Sequence, residues 1–284
     1  MYKNILVPLD GSESSKNALS QAIKLAKKEN SKIAAVKVIP SYEGEMEISL
    51  APDIEESIRK PAEKILEEAD RMADAEGISI DTILEEGVVH DEIINVAQLR
   101  NCDLIVMGRS GLSALARAFM GSVTARVIGY SPIDVLVVPK DAVLKWQNIL
   151  LAADGSKYSE AATERVLDIA QTYGGELKVV SVIDVPDEAY AEIPDVIDKM
   201  AEGARDIVKS VKDRAEVSSI KTAVFVKEGD ASKQIIDTAN ELGVGMICMG
   251  NYGRTGLKRL LMGSVTEKVI GHATCPVLVV KLQQ

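Results

Sequence analysis

Short apolar runs alternate along the chain with longer stretches whose apolar residues recur at helical spacing. Asn4–Leu9 reads as a strand buried on both faces. Ser14–Glu29 then places Ala18, Ala22, Leu25 and Ala26 on one helical face, and Ile33–Ile39 is a second strand. A polar loop over Pro40–Pro52 leads to a charged helix from Ile54 to about Ala75, with Ile58, Ile65, Ala69 and Met72 as its apolar stripe. Pro61 there predicts a kink or a late start, because proline removes a helix hydrogen bond. Ile78–Leu84, Asp91–Leu99, Asp103–Met107, Val123–Ile128 and Val135–Val138 continue the series as strand, helix, strand, helix, strand. Strands apolar on both faces and separated by helices predict an α/β fold, a parallel sheet doubly wound with helices on each side.

The series then starts again. Met107–Val138 and Met249–Val280 align without a gap at a shift of 142 residues, with 17 identities in 32 positions. Near the start of each half, Asp10-Gly11-Ser12 answers to Asp154-Gly155-Ser156 at a shift of 144. The chain is a tandem repeat with its joint at Lys140–Lys145, which predicts two domains, 1–140 and 146–284.

In doubly wound sheets, ligands bind beyond the carboxyl ends of the strands, where the strand order reverses. At those ends the two halves share a G-x2-G-x9-G-[ST] pattern: Gly108, Gly111, Gly121 and Ser122 in the first, Gly250, Gly253, Gly263 and Ser264 in the second. Glycines after a strand admit positive φ and close approach of a ligand, and the N–H groups opening the next helix point at bound anions. Ser122, Thr124, Ser264 and Thr266 add hydroxyls, so the pattern fits a phosphate site. The competing structural reading makes the glycines plain turns and Ser122 and Ser264 helix N-caps. Arg109, Arg117, Arg254, Lys258 and Arg259 gather around these segments, which reads either as support for phosphate or as a solvated basic face. Asp10 and Asp154 end the first strands. Each reads either as a carboxylate for ribose hydroxyls or Mg2+, or as the N-cap of the helix that follows.

Charge and composition narrow the function. The 284 residues carry 33 Lys+Arg against 43 Asp+Glu, a formal net charge of −10, which disfavours nucleic acid and membrane surfaces as partners. The apolar run near Met1 is too short for a signal peptide and no stretch reaches the ~18 apolar residues of a membrane span, so a cytoplasmic location is expected. Three cysteines without CxxC spacing suggest neither a disulfide framework nor a zinc site. Walker A and protein-kinase signatures are absent, and His90 and His272 have no histidine counterparts in the other half. No catalytic residue is assigned.

The strand ending in Asp10-Gly11-Ser12, the glycine pattern, Val123-Thr124 and the closing Val135–Val138 together resemble the universal stress protein (UspA) family over essentially the whole of both halves. The resemblance implies a five-stranded parallel sheet of order 3-2-1-4-5 in each half and binding of ATP or AMP. By it, Asp10 and Asp154 would take the ribose, and Val38 and Val182 would contact adenine through the backbone. Met107 and Met249 would line the base and ribose pocket, and Pro8 would belong to the nucleotide site. The glycines with Ser122 and Ser264 would hold the phosphates, and Val123, Thr124, Val265 and Thr266 would belong to the same nucleotide sites. The sequence departs from the family at Ala152, where the first half has Pro8, and at Asp134, where the second has Pro276. The first loop, with Leu112, Ala114 and Ala116 in place of Arg254, Gly256 and Lys258, carries less positive charge, so a triphosphate is expected at the second site and AMP or weaker binding at the first. The resemblance also implies pairing of the last strands, here within one chain as a pseudo-dimer, and is compatible with a further homodimer. The favoured function is a nucleotide-binding stress-response module acting on a downstream protein. The alternatives are a slow Mg-dependent ATPase or phosphotransferase, and a scaffold without nucleotide.

Overall fold

The computed structural model describes residues 1–41, 52–111, 120–184, 194–254 and 261–282, excluding the side chains of 52–55 and 194. The chain divides into two compact units, Tyr2–Asp141 and Ala142–Gln284. In the first, β1 (Asn4–Pro8), α1 (Glu13–Glu29), β2 (Lys32–Pro40), α2 (Pro52–Asp74), β3 (Asp81–Gly87), α3 (Val89–Leu99), β4 (Leu104–Gly108), α4 (Ser122–Tyr130) and β5 (Asp134–Val138) follow one another. The strands pair in parallel in the order β3-β2-β1-β4-β5. The second unit repeats this with β6 (Asn148–Ala152), α5 (Lys157–Tyr173), β7 (Glu176–Ile183), α6 (Pro194–Val217), β8 (Thr222–Glu228), α7 (Ala231–Glu241), β9 (Met246–Gly250), α8 (Ser264–His272) and β10 (Val277–Val280), in the parallel order β8-β7-β6-β9-β10. This is the α/β architecture expected, in both halves.

Each core lies where the apolar runs predict it. Leu6, Val7, Ala35, Leu104, Ile105 and Val106 in the first unit, and Leu150, Leu151, Val179, Ile247 and Cys248 in the second, are at most 1% exposed. At the outer strand the pattern fails. β3 begins three residues later than Ile78 and ends on Glu85-Glu86-Gly87. It pairs only with β2, and its residues are exposed or half-buried, so its two faces carry no continuous apolar signature.

Helix α2 also departs from expectation. Pro61 lies inside it and does not mark its start. Its buried positions are Ala62, Leu66, Ala69 and Ala73, at spacings of four, three and four. Ile58 is 51% exposed, and Ile65 and Met72 are half-buried at the edge of the stripe. The polar loop lies outside the described residues apart from Pro40, Ser41 and Pro52.

At two places the halves use different residues at matching positions. Helices α1 and α5 both end on a left-handed residue, Asn30 (φ 54) and Gly174 (φ 63). Asp134, which departs from the family's proline, is 4% exposed and accepts a 2.8 Å hydrogen bond from the Tyr2 hydroxyl. In the second half Trp146 stands opposite Tyr2 in the repeat and Pro276 opposite Asp134.

Candidate functional site

The end of β1 sets up the site. Leu9 N donates to Val36 O at 2.8 Å, closing the pairing of β1 with β2, and β2 runs on to Pro40 beside β3 alone. Peptide groups alternate sides along a strand. Since the Val36 carbonyl faces β1, the N–H and C=O of Val38 face the same way, past the last residue of β1. In the second unit Ala153 N donates to Val180 O at 2.9 Å, which places the peptide groups of Val182 likewise.

After β1 the chain turns through Asp10. Ser12 N donates to Asp10 Oδ1 at 2.9 Å, and Ser156 N donates to Asp154 Oδ1 at 3.0 Å. The helix N-caps are the serines: Ser12 Oγ accepts from Ser15 N, and Ser156 Oγ from Ser159 N, both at 3.2 Å. Neither aspartate is an N-cap; each instead holds the turn leading to one. That turn puts Gly11 at φ +89 and Gly155 at φ +76.

The six glycines of the shared pattern are different. None has positive φ, contrary to expectation. A Cβ on Gly108 would lie 2.7 Å from Ser14 C, and one on Gly250 would lie 2.8 Å from the Tyr158 backbone. These two glycines let the strand end pass directly against the first helix. A Cβ on Gly111 would lie 2.3 Å from Asp10 Oδ2, and one on Gly253 would lie 2.9 Å from Asp154 Oδ2, so the loop rests on the aspartate. Gly121 and Gly263 meet no such constraint. Their φ/ψ of −65/146 and −67/145 suit any residue, and the nearest atoms to an added Cβ are 3.6 and 3.5 Å away.

The same two glycines begin the last helices. Gly121 N donates to Arg109 O at 2.8 Å and Gly263 N to Asn251 O at 2.9 Å, tying the ends of the nine-residue spacer together. Gly121 and Gly263 are the N-caps of α4 and α8, with no side chain capping either helix. The N-cap reading of Ser122 and Ser264 is therefore overturned; both are exposed first-turn residues. The first intrahelical bonds run from Ala125 N to Gly121 O and from Glu267 N to Gly263 O, so the N–H groups of residues 122–124 and 264–266 precede them. Thr124 and Thr266 are buried, and their hydroxyls donate to Gly108 O at 3.1 Å and Gly250 O at 3.0 Å. Those protons bind helix to strand end and are not available to a phosphate.

In each unit these parts surround one cavity. The first, about 320 Å³, is lined by Pro8, Asp10, Val38, Met107, Gly108, Gly111, Gly121, Ser122, Val123 and Thr124 among others, and so gathers every residue proposed for that half. The second, about 410 Å³, gathers Asp154, Val182, Met249, Gly250, Gly253, Gly263, Ser264, Val265 and Thr266. Val89 and Ile93 of α3 add an apolar wall to the first, as Ala231 and Ile235 of α7 do to the second.

The basic residues divide. Arg109 does not line the first cavity: its backbone N donates to Val138 O at 3.1 Å, and burial lowers its guanidinium pKa. Arg254 does line the second, with its backbone N donating to Asp154 Oδ2 at 3.0 Å and its Nε to the Asp154 carbonyl. Arg117, Lys258 and Arg259 lie outside the described residues, as do Leu112, Ala114, Ala116 and Gly256.

Three lining residues escaped sequence reasoning. Lys37 is half-buried in the first wall; burial pushes its ammonium pKa down and the charge of Asp10 partly restores it. It is the single charge in the Ile33–Ile39 run, a signal the sequence did contain. Tyr252 packs its ring 5.3 Å from that of Tyr158 and donates its hydroxyl to Leu261 O at 3.2 Å. Asp184 stands at the rim of the second cavity.

His90 sits 3.5 Å from Asp91 with its ring against Tyr130, and His272 Nδ1 lies 2.9 Å from Lys268 O; neither lines a cavity. Among the described residues no group of three or more His, Cys, Asp or Glu is placed to hold a metal. No helix among them is long and apolar enough to cross a membrane.

Known proteins resemble one half of the chain or the whole of it. A universal stress protein of Methanocaldococcus jannaschii is 35% identical over 142 residues, covering 48% of this chain and 82% of its own length. One from Bacillus subtilis is 33% identical over 150 residues, covering 48% of this chain and 99% of its own. A universal stress protein from Archaeoglobus fulgidus has the same fold across both units, with a TM-score of 0.74 at 24% identity, over 98% of this chain and 96% of its own. The profile of the universal stress protein family matches residues 1–139 and again 145–281, and the chain belongs to that family as a tandem, two-domain member.

Proposed function

We propose that each unit binds one adenine nucleotide, ATP or AMP, in its cavity, and that the chain acts as a nucleotide-responsive regulatory module of the stress response. The observation that carries this reading is the pair Gly121 and Gly263. Among the described residues neither backbone conformation nor packing requires glycine there, yet both halves keep it at the uncapped start of a helix. A phosphate at that place accounts for it. The helix start offers N–H groups and the positive end of the helix dipole to an anion.

The remaining lining fits a nucleoside. The N–H and C=O of Val38 and Val182 present a donor beside an acceptor, the complement of the N1 and 6-amino edge of adenine. Asp10 and Asp154 lie between that edge and the glycine loop, where a ribose would stand. A Mg2+ ion would ride mainly on the phosphates, with at most one carboxylate from the wall. With both histidines engaged away from the cavities, the reading is of a binding module rather than an enzyme of rapid turnover. The sequence expectation that the second site takes the triphosphate rests partly on Lys258. Among the described residues the walls supply one cation each, Lys37 in the first and Arg254 in the second.

Calorimetric titration with ATP and with AMP tests the proposal. Two sites per chain in the native protein, falling to one in Gly121→Val and one in Gly263→Val, is the expected result. Heat of binding that neither substitution changes would refute it.

A further inference from the structure

The two cavities share a frame but not a rim. At the repeat shift of 144, Pro40 stands opposite Asp184. Both residues line their cavities, two positions beyond the valine whose peptide groups face past the first strand of the unit.

Asp184 directly follows the last residue of β7, and with Val182 it lines the second cavity, so the two lie on one side of the sheet. Ile183 points to the other face, where it packs with Ala201 and Ala204 of α6. The Asp184 face is covered by α7, and the first N–H of that helix, from Ala231, donates to Asp184 Oδ2 at 3.3 Å. Ala231 and Ile235 of the same helix line the cavity, so this bond holds the carboxylate at its edge. Among the described residues the first cavity has no equivalent carboxylate at this place: Pro40 has no polar side-chain atom, and its helix α3 starts behind Val88 without a side-chain cap.

We infer that Asp184 is a base-specificity residue of the second cavity, accepting a hydrogen bond from the exocyclic amino group of a bound nucleobase, and that the first cavity lacks this selection. The inference rests on the adenine-nucleotide reading of the cavities. An exocyclic amino group has two hydrogens. The Val182 carbonyl accepts one, and the carboxylate two residues on, just past the end of β7, accepts the other. In the first cavity the Val38 carbonyl accepts one and the second faces Pro40. The two sites therefore prefer an amino-bearing base to different degrees, although their glycine loops are alike.

The test compares ATP with purine riboside 5′-triphosphate, which lacks only the 6-amino group, by calorimetry on the full chain. Gly121→Val isolates the second cavity and Gly263→Val the first. The preference for ATP over the analogue is expected to be about ten-fold larger in the second cavity than in the first, the effect of one hydrogen bond to a charged acceptor at a partly wet rim. Adding Asp184→Ala to the Gly121→Val chain brings the preference down to that of the first cavity. Adding Pro40→Asp to the Gly263→Val chain raises it. An unchanged preference in Asp184→Ala, or an equal loss of affinity for both nucleotides, overturns the role of Asp184 while leaving the nucleotide sites standing. Absence of ATP binding from both single-cavity chains overturns the nucleotide reading and this inference with it.

Discussion

The glycines of one loop have three different jobs, and substituting them one at a time separates binding from folding. At Gly263 the backbone (φ −67, ψ 145) is extended and accepts valine without strain. The new Cβ would meet Tyr252 Cα at 3.5 Å, Gly253 N at 3.6 Å and Asn251 O at 3.7 Å, ordinary contacts all. What valine loses is glycine's modest preference for the N-cap, a cost of about 1 kcal/mol or less. For a unit of this size that lowers the melting temperature by about 2–5 °C. At Gly250 the situation is reversed. Even alanine would put Cβ 2.8 Å from the Tyr158 backbone, forcing β9 and α5 apart, at a cost of about 1–3 kcal/mol.

Thermal unfolding with and without ATP reads both effects. Ligand at 100 times its dissociation constant stabilises the native state by about 2.7 kcal/mol. Gly263→Val should unfold near the native temperature and lose the ligand-dependent rise assigned to the second unit. Gly250→Ala should unfold earlier with or without ligand. If Gly263→Val proves as destabilising as Gly250→Ala, or keeps its full response to ATP, the argument that Gly263 is reserved for a ligand is wrong.

Other consequences follow from the same contacts. Thr266→Val removes a buried hydroxyl and leaves Gly250 O without its 3.0 Å donor, so chemical denaturation should show a loss of about 1–3 kcal/mol while affinity for ATP stays within two-fold or so of native. Burial raises the thiols of Cys102 and Cys275 to about 11, and Cys248 is buried, so an aromatic disulfide reagent at pH 8 should label the native protein slowly and all three cysteines promptly once it is unfolded. Asp230, the N-cap of α7, is held at about 2 by hydrogen bonds from the Ser232 hydroxyl and Lys233 N and, more weakly, by Lys268. Its depressed value means that this cap stabilises the fold fully above about pH 4 and is lost as the pH falls toward 2. Asp230→Ala should cost about 1 kcal/mol at neutral pH and show less difference from the native protein as the pH drops through that window.

How much was legible in the sequence depended on whether one residue's environment was set by its neighbours in the chain. The central strands β1 and β4 are buried on both faces, and their apolar runs mark them plainly. Strand β3, paired on one side only, ends in Glu85-Glu86-Gly87 and starts three residues after the apolar Ile78 that the pattern marks. The spacing of the glycine pattern located the site because the bond from Gly121 N to Arg109 O closes a loop of fixed length. The roles within the pattern were hidden, since they depend on contacts across the sheet: Gly108 against Ser14, Gly111 against Asp10, Thr124 to Gly108. Tyr2 and Asp134 are 132 residues apart, and no local pattern joins them. Lys37 and Asp184 were missed because a strand residue's place in a cavity wall depends on where the neighbouring strand stops.

The central claim is that the chain carries two adenine-nucleotide sites, and the most direct measurement is of what the protein already holds. The purified full-length chain is denatured, and the released small molecules are identified by chromatography and mass spectrometry and counted per chain. The account predicts adenine nucleotides approaching two per chain, with the proportions of ATP, ADP and AMP reporting whether hydrolysis accompanies binding. Release of no nucleotide, together with no thermal stabilisation on adding millimolar ATP and Mg2+, would contradict it.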